Sequence, residues 1–166
     1  MRQAKEKTPA ISVRYTRPED KPGILLMLKE TNFFRPQELL VAEEVLNDAL
    51  AKGADGHYQS FAAEEGGTLV GWVCFGPTPC TVDTFDIYWL VVAPHKQRNG
   101  VGAYLMQYAT NLIKNRSGRM IIAETSGHPR YQSTRRFYEK MNYSPVSCVR
   151  DFYALGDDKV IYVKSI

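Results

Sequence analysis

The chain has 166 residues and a formal net charge of +3, with 44% apolar and 23% charged residues. That composition suits one globular domain with a core of its own and excludes a disordered chain. The basicity is too mild to imply a nucleic-acid partner, and no apolar run reaches the ~20 residues of a membrane span.

The opening residues are polar. They carry Arg2, Lys5 and Lys7 with no apolar stretch behind them, so no secretory signal is expected. A flexible N-terminus over 1–10 and a single domain over 11–166 are the expected organisation. Ile11–Tyr15 alternates and predicts a strand. Thr16 with Glu19 three residues on looks like a capping box. Ile24, Leu25 and Leu28 then fit a short helix face, with Pro22 tolerable in its first turn. Phe33-Phe34-Arg35-Pro36 breaks the pattern. Gln37 to Ala51 predicts a second helix, with Leu39, Leu40, Leu46 and Leu50 on one face and Gly53 past its end.

The period then changes to two. Tyr58–Glu64 and Thr68–Phe75 predict a hairpin around Glu65-Gly66-Gly67. Val82–Val92 is the longest strand candidate, and its apolar end, Ile87 to Val92, predicts cover on both faces. Val101–Ile113 predicts a helix burying Val101, Leu105, Ala109, Leu112 and Ile113. Met120–Ala123 is a short strand, Tyr131–Met141 a helix, and Val146–Tyr153 and Lys159–Lys164 the last two strands. The order is βααβββαβαββ, an α/β class with a mixed sheet flanked by helices.

Three cysteines, Cys74, Cys80 and Cys148, form no C-x-x-C pattern. They predict buried or half-buried free thiols in a reducing cytoplasm. His57, His95 and His128 stand too far apart in sequence for a ligand pair, so no metal is expected.

The stretch that carries chemistry is 86–103, where a strand enters a loop with Gly100 and Gly102 and then a helix. Unpaired amides at a helix N-terminus, with the helix dipole behind them, bind anions such as a pyrophosphate. The glycines let a phosphate approach the backbone, and Gln97 and Arg98 add side-chain donors. An ordinary strand–turn–helix would use the same glycines for turn geometry alone. No G-x-x-x-x-G-K-S/T is present, and Leu105 stands where a dinucleotide fingerprint would need its third glycine.

Gln97-Arg98-Asn99-Gly100-Val101-Gly102-Ala103, following Leu90-Val91-Val92-Ala93-Pro94, resembles the Q/R-x-x-G-x-G/A signature of the GNAT superfamily of acyl-CoA-dependent N-acyltransferases. Thr134-Arg135-Arg136-Phe137-Tyr138-Glu139-Lys140-Met141-Asn142-Tyr143 resembles the family's later F-Y-x-x-x-G-F/Y block, and the element order agrees from end to end. The resemblance implies acetyl-CoA bound where a seven-stranded, four-helix sheet fold splays, between strands 82–92 and 120–124. It implies that Leu90, Val91 and Val92 pair with the pantetheine arm and that the amides of 98–103 hold the pyrophosphate. It makes the Leu90 N–H the group that polarises the thioester carbonyl, a form of oxyanion stabilisation. It makes Tyr138 the acid that protonates the departing thiolate.

The attacking amine must shed a proton, which asks for a base. Asp86 stands eleven residues before Gln97, where some family members carry a catalytic glutamate. It shares strand parity with Leu90 unless a bulge intervenes. A plain polar strand residue is the competing reading of Asp86. Glu124 is the second candidate base. Phe33, Phe34, Tyr88 and Trp89 are candidates for an acceptor pocket, and Arg130, Arg135 and Arg136 for the adenosine 3′-phosphate or a solvated face. Two positions depart from the family. Tyr131 replaces an asparagine that contacts the cofactor, and Asn142 replaces the glycine after the tyrosine helix, where it can still adopt the left-handed cap.

The expected activity is therefore acetyl transfer to a primary amine on a small molecule or peptide, by direct attack in a ternary complex. Acidic Asp83, Asp86 and Glu124 suggest a cationic acceptor. The rival readings are a non-catalytic acyl-CoA-binding or regulatory module on the same fold and, more distantly, a dinucleotide-binding domain. An exposed edge near residues 146–164 could pair across a homodimer.

Overall fold

A computed structural model describes residues 10–166. The flexible segment expected at the N-terminus lies, except for Ala10, outside the described residues. The chain runs β1 (Ile11–Tyr15), α1 (Lys21–Glu30), α2 (Pro36–Lys52), β2 (Gln59–Glu65), β3 (Thr68–Pro77), β4 (Thr84–Val92), α3 (Val101–Asn115), β5 (Met120–Ser126), α4 (Gln132–Lys140), β6 (Ser144–Ala154) and β7 (Asp157–Ser165). The element order agrees with the sequence pattern. The seven strands form one sheet in the order β1-β2-β3-β4-β5-β7-β6. Among the described residues only the β4–β5 pairing is parallel. The α3 helix makes that crossover, since a parallel pair needs a long connection.

Alternation along the strands feeds two cores. On β3, Val73 and Phe75 face α3 and pack with Leu105, Ile113 and Ile121, whereas Trp72 and Cys74 face α1 and α2 and pack with Ile24, Leu28 and Leu46. Burying each such aliphatic or aromatic side chain is worth about 1.5–3 kcal/mol. Gly71 lies where β3 passes under α3; a Cβ there would sit 2.8 Å from Leu105 Cδ1 and 3.2 Å from Val91 O. Absence of a side chain lets the helix lie close on the sheet beside β4.

Several sequence expectations need correction. The capping interaction is shifted by one residue: the Arg17 N–H donates to Asp20 Oδ2 at 2.7 Å, and Thr16 instead bonds Ser60 through its hydroxyl at 2.7 Å. Leu40 is 62% exposed; the buried face of α2 is Ala42, Val45, Leu46 and Ala49. The hairpin turn contracts to Gly66-Gly67, with φ of 58° and 79°, the geometry of a two-residue turn. Cys80 and Cys148 are exposed; only Cys74 is buried. Asn142 takes the left-handed conformation at φ 62° after α4, as expected. No helix among the described residues is long and apolar enough to cross a membrane.

Candidate active site

The β4 and β5 strands pair only from Thr84–Met120 to Ile87–Ala123. Beyond Ile87 they part, so Tyr88–Val92 lose their neighbour on that side. The Ala93 N–H donates to Val70 O at 2.9 Å, toward β3. Alternation then turns the N–H groups of Leu90 and Val92 the other way, into the gap. These are unpaired strand donors of the kind that an extended ligand can bond. The split also explains a corrected expectation. Tyr88, Trp89, Leu90 and Val92 are half-buried, not covered on both faces, because the gap opens beside them.

A bulge sets the facing of the side chains. On β3, Cys74 and Phe75 are consecutive, but their β4 partners are Trp89 and Ile87, leaving Tyr88 as the extra residue. Phe85, Ile87, Leu90 and Val92 therefore face α3, and Trp89 and Val91 face α1 and α2. Alternation from Phe85 and Ile87 sends Asp86 to the α1–α2 face. Asp86 thus points away from the Leu90 side chain. The shared parity expected from spacing fails because of this one inserted residue.

The gap opens into a cavity of about 1010 Å³ that reaches both sheet faces. On the α3–α4 side it is lined by Gln97, Arg98, Gly100, Gly102, Thr134 and Phe137. Gly100 caps α3 with φ 84°, a conformation that favours glycine. The first bond of the helix runs from the Tyr104 N–H to Gly100 O at 2.9 Å. The amides of Val101, Gly102 and Ala103 are thus its orphan donors, at the positive end of its dipole. Gln97 Nε2 donates to Val92 O at 3.3 Å, tying the loop to the end of β4. Arg136 and Lys140 bring positive charge to the same side.

Tyr138 is the deepest residue of α4, 6% exposed. Its ring packs against Tyr143 and Tyr162 with centroids 5.6 and 5.5 Å away, yet it lines the cavity. Burial pushes its hydroxyl up to about 12, so it stays protonated at any physiological pH. On the α1–α2 side stand Asp86, Tyr88, Trp89, Phe33 and Phe34. Burial raises the Asp86 carboxyl above its ordinary value, and the bond from Thr78 Oγ1 to Oδ2 at 2.8 Å offsets part of that rise. A carboxylate with a raised pKa is a better base. Glu124 also reaches the cavity but is half-exposed and ion-paired to Lys159 at 2.8 Å.

The profile of the acetyltransferase (GNAT) family matches residues 25–143. The chain belongs to the GNAT acetyltransferase family. It is similar to a putative GNAT acetyltransferase from Desulfovibrio desulfuricans, with 38% identity and a TM-score of 0.89 over 94% of this chain and 99% of that one. A probable N-acetyltransferase of Mycobacterium tuberculosis is 33% identical over 106 residues, 63% of this chain. The matched stretch spans 55% of that relative's length. An aminoglycoside 6′-N-acetyltransferase complexed with coenzyme A shares the fold, with a TM-score of 0.73 at 18% identity over 93% of this chain and 96% of that one.

Membership makes the chain an acyltransferase of the type that uses acetyl-CoA, and its residues fit that molecule. The free β4 donors suit an amide-bearing pantetheine arm, and the orphan amides of α3 with Arg98 and Arg136 suit a diphosphate. Of the GNAT signature, Gln97, Arg98, Gly100, Gly102 and Ala103 line the cavity; Asn99 does not, and Val101 buries its side chain in the core, so its backbone alone can serve. Leu90, Val91, Val92, Thr134 and Tyr138 line it as well. Tyr131 lines it too, but its hydroxyl donates to Phe33 O at 2.7 Å and so ties two loops together. The arginines divide. Arg130 donates to Asn32 O and Arg135 to Ser126 O, while Arg136 alone of the three lines the cavity. Asp83 belongs to the β3–β4 turn, with φ 56°, outside the cavity.

The cavity also recruits Arg35, Glu38, Tyr153 and Asp157, which no sequence pattern singled out. Arg35 and Glu38 sit at a helix start and Tyr153 and Asp157 beside a hairpin turn. Only the tertiary fold brings these four together. In the sequence Arg35-Pro36 reads only as a break before the second helix.

Proposed function

We propose that the protein transfers the acetyl group of acetyl-CoA to a primary amine by direct attack within a ternary complex. The observation that carries this reading is the continuity of one cavity from the α3 amides, past the unpaired β4 edge and Tyr138, to Asp86 on the opposite sheet face. Acetyl-CoA supplies an activated acetyl carbon and a thiolate leaving group. The gap-facing backbone groups of Leu90 and Val92 hold the pantetheine arm, with Val91 between them turned to β3, and the amides of residues 98–103 with Arg136 hold the phosphates. The Leu90 N–H faces the developing negative charge on the carbonyl oxygen, and a donor already fixed by the strand stabilises that charge without reorganising. Asp86, or a water it orders, takes the amine's proton, and Tyr138 donates toward the sulfur. The pairing of Glu124 with Lys159 favours Asp86 over it as the base.

The single buried thiol and two exposed free thiols support a reducing compartment such as the cytoplasm. The β6 edge is exposed along almost its whole length, with Val146, Val149 and Phe152 apolar upon it, and supports a homodimer through that edge. Light scattering on the purified chain would read the dimer directly. Calorimetric titration with acetyl-CoA, with NADH as control, tests the central reading. Saturable binding of acetyl-CoA alone, followed by amine-dependent thiol release, is the expected result. No binding up to about millimolar acetyl-CoA, an affinity of only ~4 kcal/mol, would overturn it.

A further inference from the structure

Three features of the α1–α2 side define which amine the cavity can accept. The first is its roof. The loop Asn32–Arg35 is tied on one side to the start of α4, through Tyr131 to Phe33 O and Arg130 to Asn32 O. On the other side Arg35 bridges to Tyr153 O and to Asp157 Oδ2, each at 2.9 Å. A polypeptide acceptor would have to pass between this loop and the β6–β7 hairpin, and Arg35 spans that passage.

The second is charge. Four carboxylates line the cavity: Glu38, Asp86, Glu124 and Asp157. Glu124 is paired with Lys159 and Asp157 with Arg35; Glu38 has no ion-pair partner among the described residues but accepts the Arg35 backbone N–H at the positive end of the α2 dipole. Asp86 accepts only the neutral Thr78 hydroxyl and has no cation within ion-pair distance among the described residues. Asp86 is thus the one cavity carboxylate with neither a cation nor a helix N-terminus to offset its charge, and it suits a single ammonium. A polyamine would leave its other charges against apolar walls, which is costly.

The third is the wall itself. Phe34, Tyr88 and Trp89 are half-buried at the cavity surface, with Phe34 edge-on to Trp89 at 5.4 Å between centroids. Such rings favour a flat apolar body.

We infer that the acceptor is a small monoamine with an aromatic body, of the arylalkylamine class, its nitrogen at Asp86 and its ring against Phe34, Tyr88 and Trp89. This rests on the acetyltransferase reading above. In the reaction the amine nitrogen bonds the acetyl carbon as the carbon–sulfur bond breaks, and the nitrogen's proton leaves by way of Asp86 while the sulfur gains one. The test uses the full chain, acetyl-CoA and three probes: 2-phenylethylamine, spermidine, and a lysine-free hexapeptide with a free N-terminus. Thiol release and product mass give kcat/KM for each. The expected result is a preference for phenylethylamine of about tenfold or more. Phe34→Ala should raise its KM about tenfold while leaving kcat and the acetyl-CoA Kd within about twofold. Equal or better turnover of spermidine or the peptide would overturn the inference, as would an unchanged KM in Phe34→Ala. Acetyl-CoA binding without turnover of any probe would sink the substrate class and leave the acyltransferase reading standing. Failure to bind acetyl-CoA would remove both.

Discussion

Tyr138→Phe isolates a single oxygen atom. The Tyr138 ring is held by Tyr143 and Tyr162, and phenylalanine fills the same space, so the fold should survive with a stability change of less than about 1 kcal/mol. The hydroxyl sits at about 12, whereas an ordinary thiol lies near 8.5. Complete proton transfer to a solvated thiolate would therefore be uphill by roughly 3.5 pK units, ~5 kcal/mol. The sulfur, however, would depart beside the buried Tyr138 hydroxyl. Desolvation there raises the thiol's pKa as well and narrows the gap. The hydroxyl's contribution is then a strong hydrogen bond to sulfur that matures into proton transfer as the bond breaks. Loss of that general acid should lower kcat about 10²-fold. The acetyl-CoA Kd, measured by calorimetry, should stay within about threefold. Because fewer than roughly 1% of Tyr138 hydroxyls ionise below pH 10, the wild-type kcat should show no basic decline traceable to Tyr138 there. Unchanged kcat in the variant, or a decline near pH 9 that the variant abolishes, would refute this assignment.

Asp86→Asn separates function from stability. The folded state holds the Asp86 proton more tightly than the unfolded chain, so it binds more protons as pH rises through that window and loses stability there. The cost is fully present at neutral pH, so the variant should melt at the same or higher temperature at pH 7.5, with the Thr78 bond kept by the amide oxygen. Its kcat/KM should fall at least about tenfold, and the acid limb of the pH profile should flatten. A lower melting temperature with intact activity would reverse both assignments. Gly102→Ala places a Cβ no closer than 3.5 Å to Phe137 and Val92, an ordinary contact. Helix propensity should raise stability by up to ~1 kcal/mol, while the methyl projects where a diphosphate would approach and weakens acetyl-CoA in a titration. Gly71→Ala has no such room. It should lower the denaturant midpoint by the equivalent of about 1–3 kcal/mol and loosen acetyl-CoA binding, since α3 must lift.

The elements were legible because local chemistry dictated them. Gly66-Gly67 demanded a tight turn, Pro36 and Gly53 bounded α2, and the four-residue spacing of Val101, Leu105, Ala109 and Ile113 fixed the buried stripe of α3. The cofactor side was legible for the same reason, since Gln97 to Ala103 is one contiguous segment. The acceptor side was only half legible. Phe33, Phe34, Tyr88 and Trp89 could be named from aromatic clustering, but the Arg35 bridge joins residues more than 115 positions apart. Helical spacing puts Phe137 and Met141 on one stripe of α4 and Tyr138 on another, yet Tyr138 is both the most buried residue of α4 and part of the cavity wall. An aromatic on a short helix can hide its ring and leave one edge open, and side-chain spacing alone cannot distinguish that from plain burial.

The bulge at Tyr88 joins these two halves. Without it, alternation back from Leu90 would carry Asp86 onto the α3 face, toward the apolar core that holds Ile121, and would turn Phe85 and Ile87 out of that core. The inserted residue lets one strand serve both sides of the sheet. Past the bulge, the backbone of Leu90 and Val92 offers donors to the gap. Before it, the side chain of Asp86 reaches the opposite face, where Phe34 and Trp89 stand. A nucleophile approaching from that face meets an acyl group bound along the strand edge, with the proton acceptor on its own side of the sheet. Closing the bulge by deleting Tyr88 should therefore be more damaging to turnover than Tyr88→Phe, which keeps the extra residue. Equal turnover in the deletion and the substitution would show that the facing of Asp86 is immaterial.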